Sequence, residues 1–553
     1  MSKLYTQTNV PVEISFTSTS VYNDIFNEIE VDVIFTSPSG KEWKVPAFWA
    51  GDNIFRVRFS ALESGLYTYR SICSNLQDSG LHARTGEIEI TQYTGERYLY
   101  KHGRLRVAPT MRTLEHTDST PFFWMGDTWW MGLVKRLDWP HGFKSLTANR
   151  VSKGFSLIQI VAGPLPDFDA VSAAFHPQQA NEAGWSWETD WSRINPAFYD
   201  LADLRIAHLV ESGLVPCIVG MWGYYLLFMG EENAKKHWRN LVARYGAYPV
   251  VWCIAGEVKL PTYSRLSDPK APETDGALLS QGWTNVGRYL RETDPYSNPV
   301  TAHPWLPMDS RDMLLDESVT DMAMLQTGHS SFASLKPSVE TVNAAVARNP
   351  RVPVVNAEVC YEGIMGSSWQ EVQRFLFWTS LTSGSAGHTY GAQGMWAMSS
   401  RDEPFTGTTM NWGDGFWQDV MHYPGSAQVA LGRKFFERYP WHLFEPRHEP
   451  EATKVERISA FATGIPGAIA VFYLSSTCMD SVFHGMQYIQ IEIEPDASYE
   501  AFFFNPRTAA EVKVGSVEPN ADGKWPTPTK PSMEDWILIL QDKAALEKIC
   551  ETA

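Results

Sequence analysis

Cysteine is sparse and scattered in this chain. Its six residues, Cys73, Cys217, Cys253, Cys360, Cys478 and Cys550, form no CxxC pair and no other metal-ligand spacing. That argues against a thiolate metal site. Cys217, Cys253 and Cys360 sit in or just after apolar runs and read as small buried hydrophobes. No apolar run approaches the length that crosses a bilayer. The opening residues Met1-Ser2-Lys3-Leu4-Tyr5-Thr6-Gln7 contain no apolar leader, so a cytoplasmic, reduced protein is expected. Three motifs are also missing. There is no GxGxxG to cradle a dinucleotide, no HExxH for zinc and no GxSxG elbow for a serine nucleophile. Positive charge is in deficit as well: 46 Lys and Arg face 63 Asp and Glu, a formal charge of −17. Nucleic acid and anionic membrane surfaces are disfavoured as partners. A neutral small molecule such as a sugar is compatible with this balance.

Aromatic residues are plentiful: 13% of the chain, with 22 Trp. Most must fill a core, but indole and phenol faces also stack on sugar rings. At 553 residues the chain should divide into two to four domains. Residues 1–95 carry short runs of period two, among them Val12–Phe16, Val31–Phe35, Phe55–Phe59 and Leu66–Arg70, separated by turn signals such as Ser37-Pro38-Ser39-Gly40. This predicts an antiparallel β-sandwich of immunoglobulin size. Residues 440–553 return to the same texture at Ala468–Tyr473, Tyr488–Glu492, Ala501–Phe504 and Trp536–Leu540, which predicts a second, smaller all-β domain with an irregular stretch over 518–532.

Between them, in 96–439, apolar runs alternate with segments of helical period such as Tyr199–Ser212 and Ala234–Tyr245. Eight runs stand out: Phe122–Gly126, Phe155–Ala162, Leu214–Met221, Val250–Glu257, Pro299–Pro304, Met322–His329, Pro353–Val359 and Ser385–Ala392. Eightfold strand–helix alternation predicts an α/β chain built on a (β/α)8 TIM barrel, with a doubly wound open sheet as the alternative.

In such a barrel the C-terminal strand ends share one pocket. Glu257 and Glu358 end the fourth and seventh runs, and paired carboxylates can divide the work of glycoside hydrolysis. Around them the strand ends supply Asp127 and Trp129, Trp222, His303, Gln326, Tyr361 and Glu362, and His388, Tyr390, Gln393 and Trp396. Carboxylates, amides and imidazoles suit sugar hydroxyls, and indoles suit ring faces. Alternatives stay open at several positions. Asp127 could instead cap the following helix. Of Trp129 and Trp130 only one is expected to face the pocket, and Trp129 is taken. Glu362 rivals Glu358. His303, His329 and His388 end three runs and could gather a metal, but no tight motif supports this, so no metal and no cofactor are expected.

The segments Phe123-Trp124-Met125-Gly126-Asp127-Thr128-Trp129-Trp130, Val251-Trp252-Cys253-Ile254-Ala255-Gly256-Glu257 and Asn356-Ala357-Glu358-Val359-Cys360-Tyr361-Glu362-Gly363 resemble the apiosidase-like family of bacterial glycoside hydrolases. The tail around Phe503-Phe504-Asn505-Pro506-Arg507 is similar to the β module that follows the barrel there, sometimes called collagen-binding by analogy. The resemblance implies a retaining barrel glycosidase, with Glu257 as acid/base after strand four and Glu358 as nucleophile after strand seven. From their places at strand ends, Asp127, His303, Gln326 and His388 are candidates for hydroxyl recognition, and Trp222 and Trp396 are candidate stacking platforms. The family pattern often has Asp after two glycines where this chain has Glu257 after Ala255-Gly256, so the sugar accepted need not be apiose. The expected activity is exo-acting release of a terminal pentose, hexose or disaccharide from a plant-type glycoside or oligosaccharide. A carbohydrate-binding scaffold on an inactive barrel, or a transglycosylase using the same glutamates, are the alternatives. Oligomeric state is left open.

Overall fold

The computed structural model describes residues 3–168, 175–305, 308–407, 412–447, 461–476 and 490–552. Its centre is a near-closed barrel of eight parallel strands: Trp124–Trp129, Leu157–Val161, Val215–Val219, Val251–Cys253, Val300–Thr301, Ala323–Gln326, Val354–Glu358 and Gly387–Tyr390. Strand eight pairs back onto strand one, Trp124 opposite Gly387 and Asp127 opposite Tyr390. Between strands five and six, Val300 N–H donates to Asp321 Oδ2 at 2.8 Å, and Asp321 N–H donates to Val300 O at 2.8 Å. A short antiparallel piece, Met308–Asp309, lies against strand six. These strands are buried on both faces, which is why their sequences are continuous apolar runs rather than alternating ones.

The barrel is filled, not hollow. Gln159 on strand two reaches across to donate to Ala357 O at 3.0 Å, and its Oε1 accepts from Thr389 on strand eight at 2.8 Å. The indole of Trp124 donates to the same Thr389 hydroxyl at 2.9 Å. Three polar side chains are thereby satisfied where water cannot reach them.

Each strand differs in extent from its apolar run, and strand four is reduced to Val251–Cys253. Strand one begins at Trp124, because Pro121–Phe122 pairs with Leu114–His116 in a separate three-stranded sheet. Strand five is reduced to Val300–Thr301. Helices occupy the outside. Pro196–Glu211 starts at Asn195, whose side chain accepts from Ala197 N–H, and Leu226–Tyr245 bends at Gly230, where φ is 77°.

β-sheet domains flank the barrel at both ends. The first has a five-stranded sheet over a three-stranded one. It is not wholly antiparallel: Lys3–Gln7 runs parallel to Thr85–Thr91. It is pinned to barrel helices by Arg58, which pairs with Asp203 at 2.6 Å, and by Arg239, which pairs with Asp32 at 2.6 Å. The last has a six-stranded sheet whose Asp535 grips Arg374 of the barrel helix Gln370–Thr382 through two bonds of 2.7 and 2.9 Å. The expected irregular stretch 518–532 contains a strand, Lys524–Pro526, paired with Gln490–Glu492. Tyr488, Ile489 and Cys478 of the sequence reading lie outside the described residues. Cys73, Cys217, Cys253 and Cys360 are buried free thiols. No described helix is long and apolar enough to cross a membrane.

Candidate active site

The C-terminal mouth of the barrel encloses a cavity of about 210 Å³, and both Glu257 and Glu358 line it. Glu257 leaves strand four through Ile254-Ala255-Gly256, and its own backbone is left-handed, with φ 41°. Gly256 is required there. A Cβ at that position would come within 2.2 Å of the Trp222 ring, which lies flat on it. The same indole turns its N–H to Glu257 Oε2 at 3.1 Å, while Gln326 Nε2 donates to Oε1 at 3.0 Å. Glu257 is only 8% exposed. Burial first, and the charge of Glu358 second, push its carboxyl up to about 8, against the two donors, which favour ionisation.

Glu358 is the last residue of strand seven. Tyr361 Oη donates to its Oε1 at 2.5 Å and His329 Nε2 lies 3.0 Å from the same oxygen. His303 Nε2 lies 2.9 Å from Oε2. An ionised carboxylate only accepts, so His329 Nε2 carries the proton in its bond to Oε1. Burial alone would raise this carboxyl, but the hydrogen bonds from His303 and His329 outweigh it and hold the group well below the ordinary carboxylate range. Two glutamates in one cavity are thus driven in opposite directions.

The aromatic wall consists of Trp130, Trp222, Tyr263, Trp305, Tyr361, Trp396 and Trp412. Trp130 holds Tyr361 in place through an indole N–H to Oη bond of 3.0 Å. Gln393 stands behind Trp396, accepting its indole N–H at 3.2 Å, and does not itself line the cavity. Gln326 and His303 likewise act on the glutamates from behind rather than from the cavity wall.

Five residues expected in the pocket are elsewhere. Asp127 is fully buried against the helix His141–Lys153, paired with Arg150 at 2.5 Å and accepting the Trp129 indole at 2.7 Å. It therefore neither lines the cavity nor caps that helix, whose Arg150 lies in the last turn. Trp129 packs edge-on against Phe143 of the same helix. His388 is sealed against Phe377 with both ring nitrogens unpartnered, and burial lowers it to about 3. Tyr390 donates to Glu362 at 2.6 Å, and Glu362 also accepts Gly425 N–H at 3.0 Å. The common reason is strand parity. Asp127 and Trp129, like His388 and Tyr390, are two residues apart and share the face turned to the outer helices. Trp130, one residue on, turns into the mouth. His303 and His329 do meet, but on Glu358, and His388 does not join them.

Trp130 lines the cavity in place of Trp129, and Asp167, Leu260, Tyr263, Trp305 and Trp412 join it without having been expected there. All belong to loops, where no periodicity marks direction. Asp167 follows strand two, whose end was the one given no candidate, although Pro164-Leu165-Pro166-Asp167 is an evident turn with an acid at its tip.

Known proteins share this architecture. A protein of Bacteroides vulgatus ATCC 8482 described as a candidate glycoside hydrolase aligns over 98% of this chain and 100% of its own, at 14% identity and a TM-score of 0.69. A glycoside hydrolase family 5 protein of the same organism aligns over 80% of this chain and 94% of its own, at 21% identity and a TM-score of 0.63. At such identities the likeness concerns the fold. No curated protein matches the chain. Residues 7–74 match a domain of unknown function, DUF5060. Residues 108–442, more than half of the chain, match the family described as apiosidase-like, catalytic domain, and the chain belongs to that family as a glycosidase.

Proposed function

We propose that the enzyme is a retaining, exo-acting glycosidase in which Glu257 is the acid/base and Glu358 the nucleophile. One observation carries this reading. The two carboxyls share a cavity, yet one is pushed up to about 8 while the other is held ionised. At neutral pH Glu257 holds its proton and gives it to the glycosidic oxygen as that bond breaks. Glu358 attacks the anomeric carbon and forms a glycosyl-enzyme. Glu257, now a carboxylate, takes a proton from the incoming water, whose oxygen displaces Glu358. His303, His329 and Tyr361 keep Glu358 unprotonated and aimed. Trp222 and Trp396 offer planes for the sugar ring.

The cavity supports exo action. At about 210 Å³ it falls below the roughly 300–1,000 Å³ of pockets for drug-sized ligands, a fit for one ring rather than a chain. The substrate proposed is a terminal pentose or hexose on a plant-type glycoside or oligosaccharide. A panel of aryl pentosides, aryl hexosides and plant diglycosides, with the product anomer followed by NMR, tests the reading. Retention with release of one sugar is expected, and Glu358→Gln should lose nearly all turnover. Inversion would overturn the nucleophile role. Binding without release would point to a carbohydrate-binding protein, and transfer to added alcohols in place of hydrolysis to a transglycosylase.

A further inference from the structure

The third carboxylate in the cavity, Asp167, has no part in the two-glutamate mechanism. It stands at the tip of the loop after strand two, in the left-handed backbone region with φ 60°. Asp adopts that conformation more readily than most residues, but it still needs support from its surroundings. The support is visible on both sides. Leu165 N–H donates to Gln179 Oε1 at 2.9 Å, and Tyr224 Oη donates to Phe168 O at 2.9 Å. Leu165 and Phe168 are buried, so the turn is clamped, and it presents Pro166 and Asp167 to the hollow.

Its carboxyl is held from two further loops, by the Tyr263 hydroxyl and the Trp412 indole. No Lys or Arg is among the described residues lining the cavity. In this Asp167 differs from Asp127 and Asp203, each of which faces an arginine. Burial, with the nearby charge of Glu358 adding to it, pushes Asp167 up to about 6. An ionised carboxylate offers about four acceptor positions. Two protein donors leave about two of them to be filled. A buried acceptor without a donor is costly, and a pair of neighbouring hydroxyls is the chemistry that would satisfy both positions at once.

We infer that Asp167 is the specificity-determining residue of this cavity, binding two adjacent ring hydroxyls of the sugar beside Glu257 and Glu358. The inference rests on the proposed glycosidase site and adds to it which ring substituents are read. Trp412 and Tyr263 are then positioning residues, because they aim the carboxylate without reacting.

The test compares wild type, Asp167→Ala and Asp167→Asn, each checked for an unchanged melting temperature. Free xylose, arabinose, apiose, glucose and galactose are titrated against intrinsic tryptophan fluorescence, which the indoles around the cavity should report. The 4-nitrophenyl glycoside of the best-bound sugar is assayed for turnover, and both measurements are repeated with singly deoxygenated analogues. Removing a charged hydrogen-bond partner should weaken binding and kcat/KM by roughly 10- to 150-fold. The decisive result is specific. Deoxygenation at one or two ring positions should hurt wild type and leave Asp167→Ala unaffected, which a merely structural role would not produce. Equal sensitivity of wild type and variants to every deoxygenation overturns the inference, as does a wild type that binds no sugar. A wild type that binds a sugar without cleaving its glycoside refutes the hydrolase reading alone, since the binding constants still decide the role of Asp167.

Discussion

Replacing Gln326 with Leu should move one limb of the pH–rate profile and leave the other in place. Gln326 is 1% exposed, and its amide donates to Glu257 Oε1 at 3.0 Å. That bond favours the ionised form of Glu257, so its loss raises a carboxyl already near 8. A hydrogen bond to a charged group contributes about 1.5–3 kcal/mol, and one pKa unit corresponds to about 1.4 kcal/mol, so the rise should be about one to two units. In its proposed role of proton donor, Glu257 is competent below its pKa and fails as pH rises through it. The basic limb of kcat/KM should therefore shift from near pH 8 to higher pH in the variant. The acid limb belongs to Glu358, whose partners His303, His329 and Tyr361 are untouched, and it should not move. Leu keeps similar volume, so a cooperative melt near that of wild type is the control. A basic limb that stays put or moves down in a folded Gln326→Leu enzyme would refute the assignment of Glu257 as the acid.

Three other perturbations probe the frame. Asp127→Ala should cost about 3–5 kcal/mol in urea unfolding, because it leaves Arg150 buried without its partner, while kcat/KM of the folded fraction stays unchanged. A drop in kcat/KM at full stability would return Asp127 to the substrate. Arg374→Ala should cost less, because Arg507 still pairs with Asp535 at 2.8 Å, and a double-mutant cycle with Asp535→Ala should show coupling between barrel helix and C-terminal sheet. His388 stays neutral in the fold, its pKa lowered by burial to about 3, so the unfolded chain binds the extra proton. Its contribution is complete above pH 6.5 and is lost as pH falls toward 3, amounting to about 3 kcal/mol at pH 4.5. His388→Leu should flatten that part of the stability–pH curve, which unfolding midpoints at pH 7 and 4.5 would measure.

Much of the site could be seen in the chain because a barrel converts strand ends into neighbours. Glu257 and Glu358 end runs four and seven, and they share one cavity. Gln326, His303 and Tyr361 also end runs, and each bonds one of the two glutamates. The residues placed away from the cavity are those whose direction mattered. Asp127, Trp129, His388 and Tyr390 have the right chemistry at the right ends of strands but lie on the outward face. A strand buried on both sides has no polar face to betray its parity. Glu362 came from the same difficulty one step beyond strand seven, where the chain turns to meet Tyr390 and Gly425.

The amino-acid sequence by itself determined the architecture and the placing of two glutamates at the ends of strands four and seven. Apolar runs of strand length, alternating with helical segments, have few ways to bury themselves, and the acids at their ends have nowhere to go but the mouth of the barrel. Only the tertiary structure decided which side chains face that mouth, which carboxyl keeps its proton and that a third acid, Asp167, is present. Those properties depend on burial and on donors brought from segments far apart in the chain: Trp222 and Gln326 at Glu257, His303 and His329 at Glu358, Tyr263 and Trp412 at Asp167. Free energies of that kind arise between residues, and no single stretch of sequence contains them.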